Sequence, residues 1–407
     1  MAKRNLLFIA ESVTLAHVAR MFAMASELGS THKTRLVCGK GYAHLFEGQG
    51  DCELTTDLYC VEPSRFRAAL RAGKPLYDGA TLQKYVESDN RLIEKYQPDV
   101  VVGDFRVSLS VSARLNAVPY VSVINAYWSP FARPKYYLPD IPVARMLGQR
   151  IGQVLFDLVR PVAFAGHTKP LNGLRKKYGL TDLGRDLRNV YCDADAVLYP
   201  DLESIIPTYD RPATHSYVGP LSWEPDVPLP DWWATWPAGK FVVYVTMGSS
   251  GDASLLKSIV ATVAEAGGVS IVSTAGVSLD LGSEKSTYAV PYLPGSQAAQ
   301  VADLVICNGG SPTTQQALSC GKPVIGIADN LDQFLNMYYL EQAGVGALLR
   351  SYNVNSAKIK AAVEAIRNEP RFSKNAVRVG ADLVLAQRGR NLVATLEHTL
   401  QAINESR

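Results

Sequence analysis

Short β-branched apolar runs alternate with stretches of helical periodicity along the chain, and this alternation restricts the fold more than any other feature. Runs at 5–10, 34–38, 99–103 and 119–124 are matched in the second half by 241–245, 269–273, 303–307 and 323–328. Each is continuously apolar rather than alternating, as strands covered on both faces are. Between them, AHVARMFAMASEL (16–28) and LLKSIVATVAEAG (255–267) place apolar residues at helical spacing. Such a pattern specifies α/β architecture, with parallel sheets and helical crossovers. The stretch 218–240 breaks it, holding five prolines and four tryptophans without apolar periodicity. The chain therefore divides into a Rossmann-like domain at 1–217, a linker at 218–240, and a second Rossmann-like domain at 241–390. A helix at 391–407 closes the chain and is expected to pack back on the first domain. A length of 407 residues suffices for two cores.

Composition removes several function classes. Hydrophobic residues at 47% and charged residues at 19% exclude a disordered chain. The formal net charge of +3 comes without any block of like charge, so nucleic acid is not an expected partner. Six scattered cysteines, with no C-x-x-C pair, fit reduced cytoplasmic thiols better than a disulfide framework or a metal site. After Lys3 and Arg4 the apolar run LLFIA is only five residues long and is cut by Glu11, too short for a signal peptide. No stretch is long enough for a bilayer, and a cytoplasmic protein without membrane insertion is expected. Oligomeric state is not legible. The loop after the first strand, ESVTLAH, contains no glycine, which argues against a G-x-G-x-x-G dinucleotide site.

Chemistry concentrates in CNGGSPTTQQALSCGKPVIGIADNLDQ, residues 307–333. With strands on either side, 311–320 is the crossover helix, with Ser311 as N-cap and Pro312 at the first helical position. Asn308, Gly309 and Gly310 form the turn before it. The N–H groups of Thr313 and Thr314, two hydroxyls and the helix dipole converge there, where a phosphate is the natural guest. An ordinary βα turn that needs glycine only for its geometry is the alternative. The loops 246–251, 292–295 and 330–333 follow strands of the same parallel sheet and emerge at the same carboxyl edge. Together they suit a base, a diphosphate and a polyhydroxyl group, the three parts of a nucleotide sugar.

These residues resemble the donor signature of the family 1 nucleotide-sugar-dependent glycosyltransferases, H-G-G-x-G-T-x-x-E-A-L-x-x-G-x-P followed by D-Q. Gly309, Gly310, Thr313, Ala317, Leu318, Gly321, Pro323, Asp332 and Gln333 match, while Asn308, Pro312 and Gln316 replace the His, the third Gly and the Glu. The resemblance extends to YVGP (217–220) and YVTMGSSG (244–251). It implies the GT-B fold, with two Rossmann-like domains facing each other across a cleft, and metal-independent, inverting hexosyl transfer. The donor would be a UDP-sugar, or a dTDP-sugar, as co-substrate, with no other cofactor. By the same resemblance, Tyr292 lies near the base and the Leu293 backbone reads its edge. Ser249 reaches the diphosphate with Asn308, Gly309, Gly310, Ser311, Thr313 and Thr314. Gln316 meets the ribose, and Asp332 and Gln333 hold the sugar hydroxyls. Asn308 can donate an amide N–H but adds no charge, and Gln316 lacks the two acceptor oxygens of a carboxylate.

Transfer to a hydroxyl needs a base, and a His oriented by a carboxylate suits the task. His17 follows the first strand and Asp104 follows the strand at 99–103. In a doubly wound sheet these strands are neighbours, so both residues emerge at the switch point. Simple helix capping by each is the alternative. AHVARMFAMASEL aligns with the family's G-H-x-x-P-x-x-x-L-A-x-x-L, which implies His17 as the base and Asp104 as its partner. Ala16 and Arg20 stand in place of the Gly and Pro. Asp193-Ala194-Asp195 has metal-binding D-x-D spacing but precedes a strand far from any phosphate turn, and reads as a solvated corner. The loop 125–142 carries five aromatics, for packing or for a hydrophobic or aromatic small-molecule acceptor. The helix expected at 143–165 is amphipathic, which keeps a lipid acceptor open. A nucleotide-sugar 2-epimerase of the same fold and a non-catalytic activator of a glycosyltransferase are the rival readings.

Overall fold

Strands whose two faces are both apolar must be covered on both sides, and the computed structural model shows how. It describes residues 3–234, 239–281 and 286–406; of the anticipated linker, 235–238 lie outside the described residues. The first sheet contains β1 (Asn5–Ala10), β2 (Lys33–Val37), β3 (Glu53–Thr55), β4 (Val100–Asp104), β5 (Tyr120–Val123), β6 (Ala196–Tyr199) and β7 (His215–Tyr217). Their order is β3-β2-β1-β4-β5-β6-β7, and every pairing is parallel. Leu6, Phe8 and Val102 bury one face against Val18, Met21 and Met24 of the helix Leu15–Gly29. Leu7, Ile9 and Val101 bury the other against Leu92, Ile93 and Leu109. The second sheet contains β8 (Val242–Thr246), β9 (Val269–Ser273), β10 (Thr287–Val290), β11 (Leu304–Cys307), β12 (Val324–Ala328) and β13 (Gly346–Arg350). Its order is β10-β9-β8-β11-β12-β13, again parallel throughout. Val243, Val245 and Ile306 pack there against Ile259, Val263 and Ile359.

The chain forms two compact units. The first comprises 1–133, 150–223 and 389–407; the second comprises 134–149 and 224–388. Residues 134–149 fall inside the stretch assigned to the first domain from sequence, yet their partners belong to the second unit. Arg350 Nη1 donates to the Leu138 carbonyl at 2.7 Å, and the Asp140 N–H donates to the Asp329 carbonyl at 2.9 Å. Tyr137 stacks edge-on with Phe334 and Tyr338. The helix expected at 143–165 runs over Pro142–Lys177, interrupted at Gly148, whose φ of 70° and ψ of 171° are not helical. Among the described residues no helix is long and apolar enough to cross a membrane.

Candidate active site

The switch point of the first sheet lies between β1 and β4, where Ala10 is in register with Asp104. His17 enters at the third position of the helix Leu15–Gly29, one short loop after β1. Its Nδ1 lies 2.8 Å from Asp104 Oδ1; the Asp104 side chain is fully buried and the His17 side chain is 17% exposed. Two unprotonated acceptors at that distance would repel, so Nδ1 carries the proton and Nε2 is left with its lone pair. Phe105 stacks on the imidazole at 5.2 Å and 6° between planes. Its φ of 54° is a strained value for a non-glycine residue, of the kind found where a side chain must be held in place. Tyr191 touches Phe105 at 5.2 Å, and Trp128 touches Tyr191 at 5.1 Å, extending an aromatic row from the imidazole. Directly after β1, Glu11 is fully buried against Arg106 and Tyr85. Burial pushes its carboxyl up, against the opposing pull of Arg106.

Arg20, on the same helix as His17, also reaches Asp104. Its Nη2 donates to Oδ1 at 3.1 Å, and its Nε lies 2.8 Å from Oδ2. Nη1 donates to Asn125 Oδ1 at 2.7 Å, and Asn125 Nδ2 donates to Asp201 at 2.9 Å. Sequence reading marks Arg20 only as a departure from a motif; nothing in one sequence says which way its guanidinium points.

In the second unit the carboxyl edge collects the expected loops. After β11, Gly309 adopts φ 80° and the helix Ser311–Ser319 begins, with Gly310 as N-cap. This corrects the assignment of Ser311 as N-cap: Ser311 is already helical, and the N-cap Gly310 has no side chain with which to cap. Asn308 bridges the two glycine turns, donating from Nδ2 to Ser250 Oγ at 3.0 Å and accepting from the Gly310 N–H at 3.1 Å. Thr314 is a second correction. It is buried, its N–H donates to the Gly310 carbonyl at 3.2 Å and its hydroxyl donates to the Ser311 carbonyl at 3.1 Å. Asn336 donates to that hydroxyl and to the Gly309 carbonyl, so Thr314 locks the turn from behind rather than facing a ligand. Thr313, half-buried, remains at the helix start beside Pro312.

Tyr292 and Leu293 follow β10, Leu293 buried and Tyr292 half-buried next to Gly276. Ser249, half-buried, lies after β8. Gln316 does not stand alone. Its Nε2 donates to Glu224 Oε2 at 3.0 Å, and the Ser296 N–H and hydroxyl hold the same carboxylate at 2.8 and 2.7 Å. The carboxylate absent from position 316 is thus present one hydrogen bond away, supplied by a residue that sequence reading left in the linker. Asp332 lies in the first turn of the helix Leu331–Gln342. Gln333 is buried; its Oε1 accepts from the Asp329 N–H at 2.9 Å, and its Nε2 has no protein partner among the described residues. An unsatisfied buried amide donor is the kind of group a ligand hydroxyl completes. Asp193 is bound by Arg114 at 2.9 Å and Arg175 at 2.5 Å, and Asp195 accepts from the Tyr120 N–H at 2.9 Å. The pair is a structural corner, half-buried and paired rather than solvated.

The fold thus places a His–Asp pair at the switch point of one doubly wound sheet and a glycine-rich helix start at that of the other. Residues 280–398 match the family described as erythromycin biosynthesis protein CIII-like, C-terminal domain. The chain is 41% identical over 379 residues to the PGL/p-HBAD biosynthesis glycosyltransferase of Mycobacterium tuberculosis strain H37Ra, covering 93% of this chain and 88% of the relative. It is 41% identical over 403 residues to the PGL/p-HBAD biosynthesis rhamnosyltransferase of Mycobacterium bovis strain BCG, covering 98% and 88%. Its fold matches the Streptomyces sp. SF2575 glycosyltransferase SsfS6 complexed with thymidine diphosphate, at a TM-score of 0.64 and 16% identity, over 94% of this chain and 98% of that one. The chain belongs to the family 1 UDP-glycosyltransferase-like enzymes of the GT-B fold.

Proposed function

We propose that this glycosyltransferase inverts the anomeric centre of a pyrimidine nucleoside diphosphate sugar while transferring the sugar to a hydroxyl of a hydrophobic, aromatic acceptor. The observation that carries this reading is the 2.8 Å contact between His17 Nδ1 and Asp104 Oδ1. With Nδ1 protonated, Nε2 takes the acceptor proton as the hydroxyl oxygen attacks the anomeric carbon, and Asp104 stabilises the imidazolium that forms. The bond to the diphosphate breaks, and the start of the helix Ser311–Ser319, with the Gly309–Gly310 turn, takes the leaving charge. That helix terminus supplies the stabilisation a divalent ion would give, so the reaction needs no metal. Ser249 and Asn308 line the diphosphate, Tyr292 and Leu293 the base, and Asp332 and Gln333 the sugar. The aromatic row Phe105–Tyr191–Trp128 supports an aromatic acceptor. The relatives in PGL/p-HBAD biosynthesis, one of them a rhamnosyltransferase, support a deoxyhexose such as rhamnose as the sugar.

Gln316 bears on the nucleotide. Its amide nitrogen is held by Glu224, leaving one carbonyl oxygen where a Glu offers two acceptors. A neutral amide oxygen accepts more weakly than a carboxylate, so the 2′-hydroxyl of UDP adds little, and dTDP, which lacks it, is expected to bind about as tightly as UDP.

The test is nucleotide release from UDP-glucose and dTDP-rhamnose, with and without a phenolic acceptor, in excess chelator. Release that requires the acceptor and persists in chelator supports the reading, with the product's anomeric configuration opposite to the donor's. Release without acceptor, or loss in chelator that a divalent ion restores, overturns it. In the same assay His17→Ala is expected to lower kcat by about a hundredfold to ten thousandfold while leaving dTDP affinity intact.

A further inference from the structure

The carboxylate that orients His17 is shared with a second cation. Arg20 follows His17 by one helical turn, and its side chain is only 6% exposed. Its guanidinium covers both oxygens of Asp104, with Nη2 to Oδ1 at 3.1 Å and Nε to Oδ2 at 2.8 Å. Asn125 fixes its far edge through Nη1 at 2.7 Å, and Asp201 in turn fixes Asn125 and the Ala126 N–H, at 2.9 and 2.7 Å. This is a built arrangement, and it departs from the family motif at that position, where a proline could neither carry charge nor reach Asp104.

We propose that Arg20 is a positioning residue for the His17–Asp104 pair: it holds the Asp104 carboxylate in place, and it opposes the charge that the carboxylate would otherwise stabilise on the imidazole. The inference rests on the reading of His17 as the base. Arginine does not lose its proton in proteins, so Asp104 faces a permanent cation. Nη2 lies 3.3 Å from His17 Nδ1, and with Nδ1–H committed to Asp104 the contact is between two donors. When His17 takes the acceptor proton, two cations share one carboxylate. Positive charge on the imidazole is therefore opposed more than it would be in a bare His–Asp pair. Glu11, which also interacts electrostatically with His17, is already paired with Arg106 and bonded to Tyr85. Phe105 covers one ring face and adds no charge.

The experiment is the pH dependence of kcat/KM for nucleotide release by the full chain, compared for wild type, Arg20→Gln, Arg20→Lys and His17→Ala. Arg20→Gln keeps hydrogen-bonding capacity and removes the charge. Its acid limb is expected to move to higher pH by about one unit, the scale on which an adjacent charge acts. Arg20→Lys restores the charge, and its acid limb is expected to return toward that of wild type even where kcat is lower. A merely structural role for Arg20 lowers kcat or the melting temperature without moving the limb. An unmoved limb in Arg20→Gln overturns the inference, as does an equal shift in Gln and Lys variants. If Arg20→Gln does not fold, Arg20→Met takes its place as the uncharged variant: a limb moved to higher pH by about one unit supports the charge effect, and an unmoved limb overturns it. Retained turnover in His17→Ala overturns the base assignment itself, which the Arg20 variants alone would not reveal.

Discussion

A half-buried imidazole, that of His215, is expected to limit the acid stability of this protein. His215 packs against Phe131 and lies 2.6 Å from the Tyr199 hydroxyl through Nδ1. Burial, with the nearby Arg211 guanidinium, lowers it from 6.5 to about 4. In the unfolded chain the ring binds its proton near 6.5; in the folded chain it does so only near 4. Between those values the unfolded state holds more protons, so the contribution is complete above the upper value and is lost as pH falls toward the lower one. Urea midpoints at pH 7.5 and 4.5 should therefore fall more for wild type than for His215→Asn, and equal falls would show that the ring titrates freely. Neither His215 nor Arg20 is legible from sequence, because burial and direction arise from packing with distant strands. The positions of His17 and Asp104 are legible because Asp104 ends a strand and His17 opens the helix after its neighbour, and parallel topology fixes where strand ends meet.

The turn between β11 and the helix Ser311–Ser319 separates what a glycine does for folding from what it does for a ligand. At Gly309, φ is 80° and an added Cβ would lie 2.7 Å from Met337 Cγ, so the fold itself requires glycine. At Gly310 the backbone is ordinary, with φ −71°, and an added Cβ would meet Asn308 Oδ1 at 3.3 Å. Gly310→Val is therefore expected to fold while placing a branched side chain in front of the helix start. Its melting temperature without ligand should stay near that of wild type, and its dTDP affinity should fall by about tenfold or more, roughly 1.4 kcal/mol. Calorimetric titration measures the second quantity; unchanged affinity in the folded variant would mean that the phosphates bind elsewhere. This element was readable to within a residue because a strand, two glycines and a proline bracket it. The buried side of the turn was not: Thr314 bonds to Ser311 and Asn336, and the helix containing Asn336 starts only after β12. Gln316 likewise finds Glu224, ninety-two positions away, which no local pattern announces.

The chain passes between its two units more than once, which composition only partly foretold. The proline- and tryptophan-rich stretch marks the passage at 223–224, whereas 134–149 joins the second unit through hydrogen bonds that follow no periodic pattern. The final return is at Gly389, after which residues 389–407 complete the first unit. Leu392, Leu396, Leu400 and Ile403 recur at helical spacing and are buried in the core that contains Leu6, Phe8 and Met21. Arg4 pairs with Glu397 at 3.0 Å, and Arg390 pairs with Glu27 at 2.6 Å and donates to the Pro220 carbonyl. The exposed ion pairs add little, about 1 kcal/mol or less each. Burying the four aliphatic side chains stabilises the unit by about 1.5–3 kcal/mol apiece, which together rivals the whole stability of an ordinary domain. A chain ending at Arg388 should therefore lose the cooperative unfolding transition of its first unit. The second unit, 134–149 with 224–388, keeps its own core and should still melt cooperatively. Added dTDP should raise that remaining transition, because a ligand that binds only the folded unit stabilises it. Calorimetric melting with and without dTDP checks both halves of this expectation: two intact transitions would show that the last helix is dispensable, and none would show that the second unit cannot fold without the first.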